Sequence, residues 1–262
     1  MSLPVKLIST DFDGTIFAEF ENPPIAPRFV ELVADLQRRG AKWVINTGRD
    51  LSSLMESLGR AKISIQPDFL VVVEREIYRH NGVSYVGDER WNHECTQAHQ
   101  EIFAKVRQDL PRLVEWVNAR FRATVYEDPY SPFCLIAGNN ADADNIIEYL
   151  EEYARSIPKL TVVRNDIYAR FSHAAFNKGT ALAELTRQLK LQPTEVFAAG
   201  DHFNDLPMLS RNYAGWLVTP RNAIETVKAA VRSQGGHVSE LPHGHAVAEG
   251  LAKFAGREIS SK

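Results

Sequence analysis

Two aspartates stand two residues apart at the end of an apolar run, in Ile8-Ser9-Thr10-Asp11-Phe12-Asp13-Gly14-Thr15-Ile16. In extended backbone, side chains at i and i+2 share a side. Asp11 and Asp13 therefore face one place, while Phe12 points the other way into a core. Gly14 lets the chain leave the strand end in a conformation that a Cβ would resist. Two close carboxylates repel unless a positive charge lies beside them or one holds a proton. A divalent cation with oxygen ligands is the simplest partner. The plainer alternative is a solvated Asp-Phe-Asp-Gly turn.

Such residues need a frame. Val5–Thr10 reads as a short buried strand with turn chemistry after it. Pro27 suits the first turn of a helix running to Arg39, with Phe29, Leu32, Val33 and Leu36 as its apolar face and Gly40 as its end. A second strand, Lys42–Asn46, runs into Thr47-Gly48-Arg49-Asp50. A helix over Leu51–Leu58 and a strand over Asp68–Val73 follow. This alternation predicts a parallel sheet with helices on its faces. From about Arg79 to His173 the rhythm changes. Helices are expected over Trp91–Leu110, Val114–Phe121 and Asp142–Ser156, and a strand over Phe133–Ala137. A strand pair, Leu160–Arg164 and Ile167–Phe171, turns at Asn165-Asp166. The first rhythm then returns: helix Asn177–Lys190, strand Val196–Ala199 ending in Gly200-Asp201, short helix Asn204–Ser210, strand Trp216–Thr219, helix Ala223–Arg232, short strand Gly236–Ser239 and helix His245–Phe254. The expected fold class is α/β: a Rossmann-like parallel-sheet core in three α/β/α layers, from residues 1–78 and 174–262, with an α+β domain inserted at 79–173. Ser260-Ser261-Lys262 read as a frayed tail.

Composition narrows the function. The chain has 262 residues, 44% hydrophobic and 24% charged, with a net charge of −3. No broad basic surface argues for nucleic acid as a partner. No apolar run approaches the ~20 residues of a membrane helix, so no membrane partner is expected. The N-terminus has no signal-peptide core and enters a strand at once. Cys95 and Cys134 lie far apart, without metal-ligand or redox spacing, and read as isolated thiols. A cytoplasmic location is the expectation.

Three strands end in polar residues of a particular kind: Asp11 and Asp13, Thr47, and Asp201. In an open parallel sheet, ligands bind outside the carboxyl ends of the strands, so these residues converge on one crevice. Lys178, in Phe176-Asn177-Lys178-Gly179-Thr180, opens a helix and can reach the same place. Three acids, a hydroxyl and an ammonium are what a phosphate held on Mg²⁺ needs: oxygen ligands for the metal, and donors plus a fixed cation for the phosphoryl oxygens. Singly, each residue has a duller reading. Thr47 could cap a helix, Lys178 could be a solvated helix lysine, and Asp201 and Asp205 could cap the helix that follows. Their shared order and strand-end placement favour a site.

Asp11-Phe12-Asp13-Gly14-Thr15, then Thr47-Gly48-Arg49, Lys178-Gly179 and Gly200-Asp201-His202-Phe203-Asn204-Asp205, resemble in order the four motifs of the haloacid dehalogenase-like phosphohydrolases. The resemblance covers roughly residues 1–78 and 174–262. The insert resembles the larger α/β cap of the Cof-like and sucrose-phosphatase-like branch. Pro67-Asp68-Phe69-Leu70, Glu76-Ile77-Tyr78 and Trp91 look more like the sucrose-phosphatase side. Many Cof-like relatives have Asn-Gly-Ala where this chain has Val73-Glu74-Arg75-Glu76. The resemblance implies a Mg²⁺-dependent phosphatase acting on a small phosphorylated metabolite, a sugar phosphate or similar polyol phosphate. By the same carry-over Asp11 is the nucleophile, forming an aspartyl-phosphate, and Asp13 is acid and then base. Asp11, the main-chain carbonyl of Asp13, and Asp201 hold Mg²⁺, with Asp205 in support. Thr47, Lys178 and Asn204 bind the phosphoryl group. The insert closes over the substrate and sets specificity.

Other features read more plainly. Arg49 either approaches the site or pairs with Asp50 or another acid. His243 and His245 flank Gly244, as a metal pair or as incidental loop residues. His202 faces the cleft or the surface. Trp43 and Trp216 read as packing. Trp91 and Trp116 read as core or as a stacking platform for a sugar. Lys159, Arg164, Arg170 and His173 make a basic run, read as a solvated hairpin face. A phosphotransferase or phosphomutase using the same aspartyl-phosphate, a phospho-aspartate signalling module and a non-catalytic sugar-phosphate sensor are the alternatives. The signalling module has a shorter chain and another motif order, and the sensor has no need of Asp13.

Overall fold

The computed structural model describes residues 3–255, so the tail at 260–262 lies outside the described residues. The chain divides into two compact units. One runs up to Asp88 and resumes at Lys178; the other is Glu89–Asn177. In chain order the elements are β1 (Leu7–Thr10), α1 (Pro27–Arg38), β2 (Lys42–Asn46), α2 (Leu51–Ala61), β3 (Phe69–Val72), β4 (Glu76–His80) and β5 (Tyr85–Gly87). Then come α3 (Glu89–Val106), α4 (Leu110–Asn118), β6 (Ala123–Asp128), β7 (Ser131–Ala137), α5 (Asn140–Ala154), β8 (Leu160–Asn165) and β9 (Tyr168–His173). The first unit resumes with α6 (Lys178–Gln188), β10 (Val196–Ala199), β11 (Trp216–Thr219), α7 (Glu225–Ser233), β12 (His237–Val238) and α8 (His243–Ala255).

In the first unit one sheet runs β12-β11-β10-β1-β2-β3-β4-β5. From β12 to β3 every pairing is parallel, and β4 and β5 add antiparallel. Strand alternation makes it a three-layer structure. Ile8, Trp43, Ile45, Leu70, Val72, Phe197, Ala199 and Val218 join one core with Phe29, Val33 and Leu36 of α1, Leu54 of α2, and Val247 and Leu251 of α8. Their strand neighbours Leu7, Val44, Val71, Ala198 and Leu217 point to the other face by alternation and are also buried, as are Leu182 and Leu185 of α6 and Val227 and Val231 of α7. A fully buried side chain of this kind contributes about 1.5–3 kcal/mol. Trp43 is fully buried and satisfies its indole by donating from Nε1 to Thr10 Oγ1 at 3.1 Å. Pro27 opens α1, and Gly40 follows it at φ 100°. Chain order reverses at β1, which lies between β10 and β2, so the carboxyl end of β1 is the switch point where α/β sheets bind ligands.

The border of this unit falls at 88/89 rather than 78/79. Once Val73 and Glu74 turn the chain, β4 pairs back onto β3 and β5 onto β4, which keeps residues 79–88 in the first unit. The return falls at 177/178.

The second unit is an antiparallel sheet, β6-β7-β9-β8, packed with α3, α4 and α5. Its core includes Leu113, Val117, Phe133, Leu135, Ile146, Leu150 and Phe171. The β8–β9 hairpin turns at Asp166, φ 52°, as Asn165-Asp166 signals. The helix expected over 91–110 ends at Val106, and α4 starts four residues before the expected Val114, because Pro111 occupies its first turn. Sequence reading missed β6, whose Thr124 and Tyr126 are exposed and give the segment no apolar run. Trp116 stacks on Tyr149 at 3.8 Å, a packing contact. Arg164 pairs with Asp144 beside the hairpin.

Candidate active site

Asp11 follows β1, anchored by its N–H donating to Ala199 O at 2.9 Å. Phe12 is fully buried and stacks on Phe17 at 4.6 Å, so the chain alternates as the Asp-x-Asp spacing requires. Lys178 opens α6 and is completely buried, which overturns the solvated-lysine reading. Its Nζ donates to Asp11 Oδ1 at 2.6 Å and to Asp205 Oδ1 at 2.7 Å. Asn46, the last residue of β2, fixes the start of this helix by donating to the Lys178 carbonyl at 2.9 Å. Burial alone would lower the lysine's pKa, but the Asp11 and Asp205 carboxylates reverse this and raise it. A buried ammonium persists only when so paired.

Asp205 organises the loop after β10. Its Oδ2 accepts from the N–H groups of Asp201 and His202 at 2.8 and 2.9 Å. The expected helix over 204–210 is only a short 3-10 turn, Phe203–Asp205. Asp201 accepts from Thr15 Oγ1 at 2.6 Å. Gly14 has φ 74°, and a Cβ there would lie 2.5 Å from Asp201 Oδ2, so only glycine fits. Its carbonyl accepts from Asn222 Nδ2 at 2.7 Å and His243 Nδ1 at 2.9 Å. His243 is thereby a strut of the Asp11–Thr15 loop.

Asp11, Asp201 and Asp205 each offer an oxygen within 4.8 Å of the others. Burial, followed by the Asp205 charge, pushes the Asp11 carboxyl well above its ordinary range, against the pull of Lys178. Burial and Asp205 push Asp201 up to about 7. One ammonium does not balance three carboxylates. A set of hard oxygen donors with excess negative charge fits a divalent cation such as Mg²⁺.

Asp13 stands outside this cluster, with both carboxylate oxygens taken by Arg49 at 2.7 Å. Asp50 is not the partner of Arg49. Its side chain caps α2 by accepting from Ser53 N–H at 2.8 Å. Thr47 is buried. Its Oγ1 accepts from Arg49 N–H at 3.2 Å, leaving its O–H proton to donate elsewhere. Asn204 commits one of its two Nδ2 N–H groups and keeps the other. Its Nδ2 donates to Glu74 Oε1 at 2.9 Å, and its buried Oδ1, an acceptor, has no hydrogen-bond partner among the described residues.

Glu74 escaped sequence reading. It is buried at φ 68°, after Val73 at φ 44°. The two N–H groups donate to Thr47 O and Arg49 O, each at 2.8 Å, pinning the Thr47–Arg49 loop while the Glu74 side chain holds Asn204. No local pattern signals it, since Val and Glu rarely accept left-handed backbone.

The family profile of the sucrose-6F-phosphate phosphohydrolases matches residues 4–255. The chain belongs to this family. It is a phosphatase of the haloacid dehalogenase superfamily. A phosphoglycolate phosphatase of Methanoculleus marisnigri is 27% identical over 256 residues, covering 95% of this chain and 97% of that protein. A 5-amino-6-(5-phospho-D-ribitylamino)uracil phosphatase of Bacillus subtilis is 24% identical, covering 86% and 87%. Among solved structures, the sucrose-phosphatase of Synechocystis sp. PCC6803 with sucrose and phosphate superposes with a TM-score of 0.69 at 20% identity, covering 97% and 98% of the two chains. A haloacid dehalogenase-like hydrolase of Bacteroides thetaiotaomicron gives 0.64 at 19% identity, covering 95% and 99%. No helix among the described residues is long and apolar enough to cross a membrane.

Proposed function

We propose that this phosphatase hydrolyses a small phosphate monoester, a sugar phosphate, with Mg²⁺ and through an aspartyl-phosphate on Asp11. The observation that carries this reading is the buried Lys178 bonded to Asp11 within a ring of carboxylates. In the first step a carboxylate oxygen of Asp11 attacks phosphorus. The Asp11–phosphorus bond forms, the bond to the leaving oxygen breaks, and Asp13 gives that oxygen a proton. Water then attacks the acyl phosphate and gives its proton to Asp13, and phosphate and free Asp11 result. Lys178 and Thr47 hold the phosphoryl oxygens as negative charge redistributes. Asp11, Asp201 and the Asp13 carbonyl, supported by Asp205, hold Mg²⁺, which when bound supplies positive charge to the phosphoryl group. Asn204, held by Glu74, gives its remaining Nδ2 N–H to the phosphoryl group.

Substrate choice is assigned to the inserted domain, read in sequence as 79–173. The two relatives and the solved neighbour are named for sucrose phosphate, phosphoglycolate or a phosphoribitylaminouracil chemistry; the feature carried over is a phosphate ester on a small polar alcohol. The proposed partner is that small phosphorylated metabolite, and the proposed location is the cytoplasm. The test is phosphate release from a panel of phosphorylated sugars and polyols, with Mg²⁺ and with EDTA. Metal-dependent release with one preferred member is expected. An isomerised sugar phosphate without free phosphate would instead make the enzyme a phosphomutase, and silence across the panel would favour a sensor.

A further inference from the structure

Arg49 is built into the first unit more firmly than a surface arginine needs. Its Nε and Nη2 grip the two oxygens of Asp13, both at 2.7 Å. Its Nη1 donates to Ser57 Oγ at 2.7 Å and Ser53 Oγ at 3.3 Å. Its guanidinium carbon lies 5.3 Å from the Phe12 ring centroid and 5.7 Å from that of Phe17. Two rings and two helix α2 hydroxyls thus fix the plane of the guanidinium, and the fork fixes the plane of the carboxylate. The Asp13 side chain is 43% exposed, so its own packing does not set its rotamer. Each oxygen has a second lone pair outside the fork, so the grip orients Asp13 without closing it to a proton.

We propose that Arg49 is the positioning residue for Asp13, aiming its carboxyl at the leaving oxygen. This inference rests on the reading of Asp13 as the proton donor. Loss of aim then has a signature that loss of stability lacks. Departure of p-nitrophenoxide, whose charge the nitro group delocalises, needs no proton. Departure of phenoxide, the conjugate base of an acid with pKa near ~10 as in tyrosine, gains from one. Since kcat/KM reports events up to the first irreversible step, it registers leaving-group departure even where hydrolysis of the acyl phosphate limits turnover.

The experiment compares kcat/KM for phenyl phosphate and p-nitrophenyl phosphate in the Mg²⁺-loaded wild type and in Arg49→Lys, Ser57→Ala and Asp13→Asn. Arg49→Lys keeps the charge and removes the fork. It is expected to lose at least ~10-fold more on phenyl phosphate than on p-nitrophenyl phosphate, part of the ~10²–10⁴ that general acid catalysis supplies. Ser57→Ala, which removes only the brace, should show the same selective loss at smaller size and serves if the arginine variant does not fold. Asp13→Asn should show the largest selective loss. Equal losses on both esters in Arg49→Lys and Ser57→Ala, with Asp13→Asn selective, would overturn the role of Arg49 and leave Asp13 as the acid. Equal losses in Asp13→Asn as well would overturn both.

Discussion

The two units handle charge in opposite ways. In the first, an ammonium and three carboxylates crowd one loop cluster, with Lys178 and Asp205 fully out of solvent. In the second, the core is aliphatic and aromatic, and pairs such as Arg155–Glu152 and Arg107–Glu127 stay at the surface. Burying charge is costly and persists where chemistry needs it. An apolar core with solvated charges needs no such explanation. The difference marks the first unit's loop cluster as the place where charge is buried for chemistry.

The comparison breaks most visibly at Lys178. Lys178→Met should remove the partner of two carboxylates, lowering kcat/KM by at least ~10²-fold and stability by about 3–5 kcal/mol in urea unfolding. Unchanged kinetics would place the lysine outside the reaction. Phe171→Ala, in the core of the second unit, should cost a similar ~3–5 kcal/mol. Its kcat on p-nitrophenyl phosphate, assayed well below the melting transition, should stay at the wild-type value. A large drop there would tie the inserted unit to the chemical step itself.

Metal and pH give a finer test. Asp201 is pushed up to about 7 in the folded chain, from ~3.9 when unfolded. Below ~3.9 both states hold the proton and nothing is lost. As pH rises toward 7 the unfolded chain ionises first, so stability falls, and the whole penalty is present above 7. A bound cation relieves it. Melting curves should therefore show Mg²⁺ raising Tm more at about pH 8 than at about pH 5.5, a difference that Asp201→Asn reduces, the raised Asp11 carboxyl keeping the remainder. An equal Mg²⁺ effect at both pH values would remove Asp201 from the metal site. Smaller still is Glu74→Gly, which relieves left-handed strain of about 1–3 kcal/mol and releases Asn204. Its urea midpoint should hold or rise while kcat/KM falls; a fall in both would make Glu74 a stability residue. Arg155→Ala, breaking a solvated pair, should leave Tm and kcat/KM where they were.

The sequence made the strand-end chemistry legible because the site uses local signals. Asp11 and Asp13 alternate with Phe12, Gly14 marks a left-handed turn, and Lys178 opens a helix. The three-layer sheet was legible for the same reason, since its strands are short apolar runs between capped helices. What escaped depends on the third dimension. Glu74 reaches Asn204 across 130 positions, and His243 reaches Gly14 across 229. Neither has a local pattern that announces its partner. Arg49 looked as ready to pair with adjacent Asp50, and only the fold showed Asp50 committed to its helix cap. The strands β4 and β5 were hidden because they extend a parallel sheet in the antiparallel sense after a turn built from Val and Glu, residues that rarely accept positive φ.

The most direct measurement is an acid quench during turnover of p-nitrophenyl phosphate with Mg²⁺, followed by proteolysis and mass spectrometry of the peptide containing Asp11. One added phosphoryl group on Asp11, absent in Asp11→Asn together with at least ~10⁴-fold of the turnover, is the expected result. Turnover without label on Asp11, a label on another residue, or an active Asp11→Asn enzyme would contradict the aspartyl-phosphate at its root.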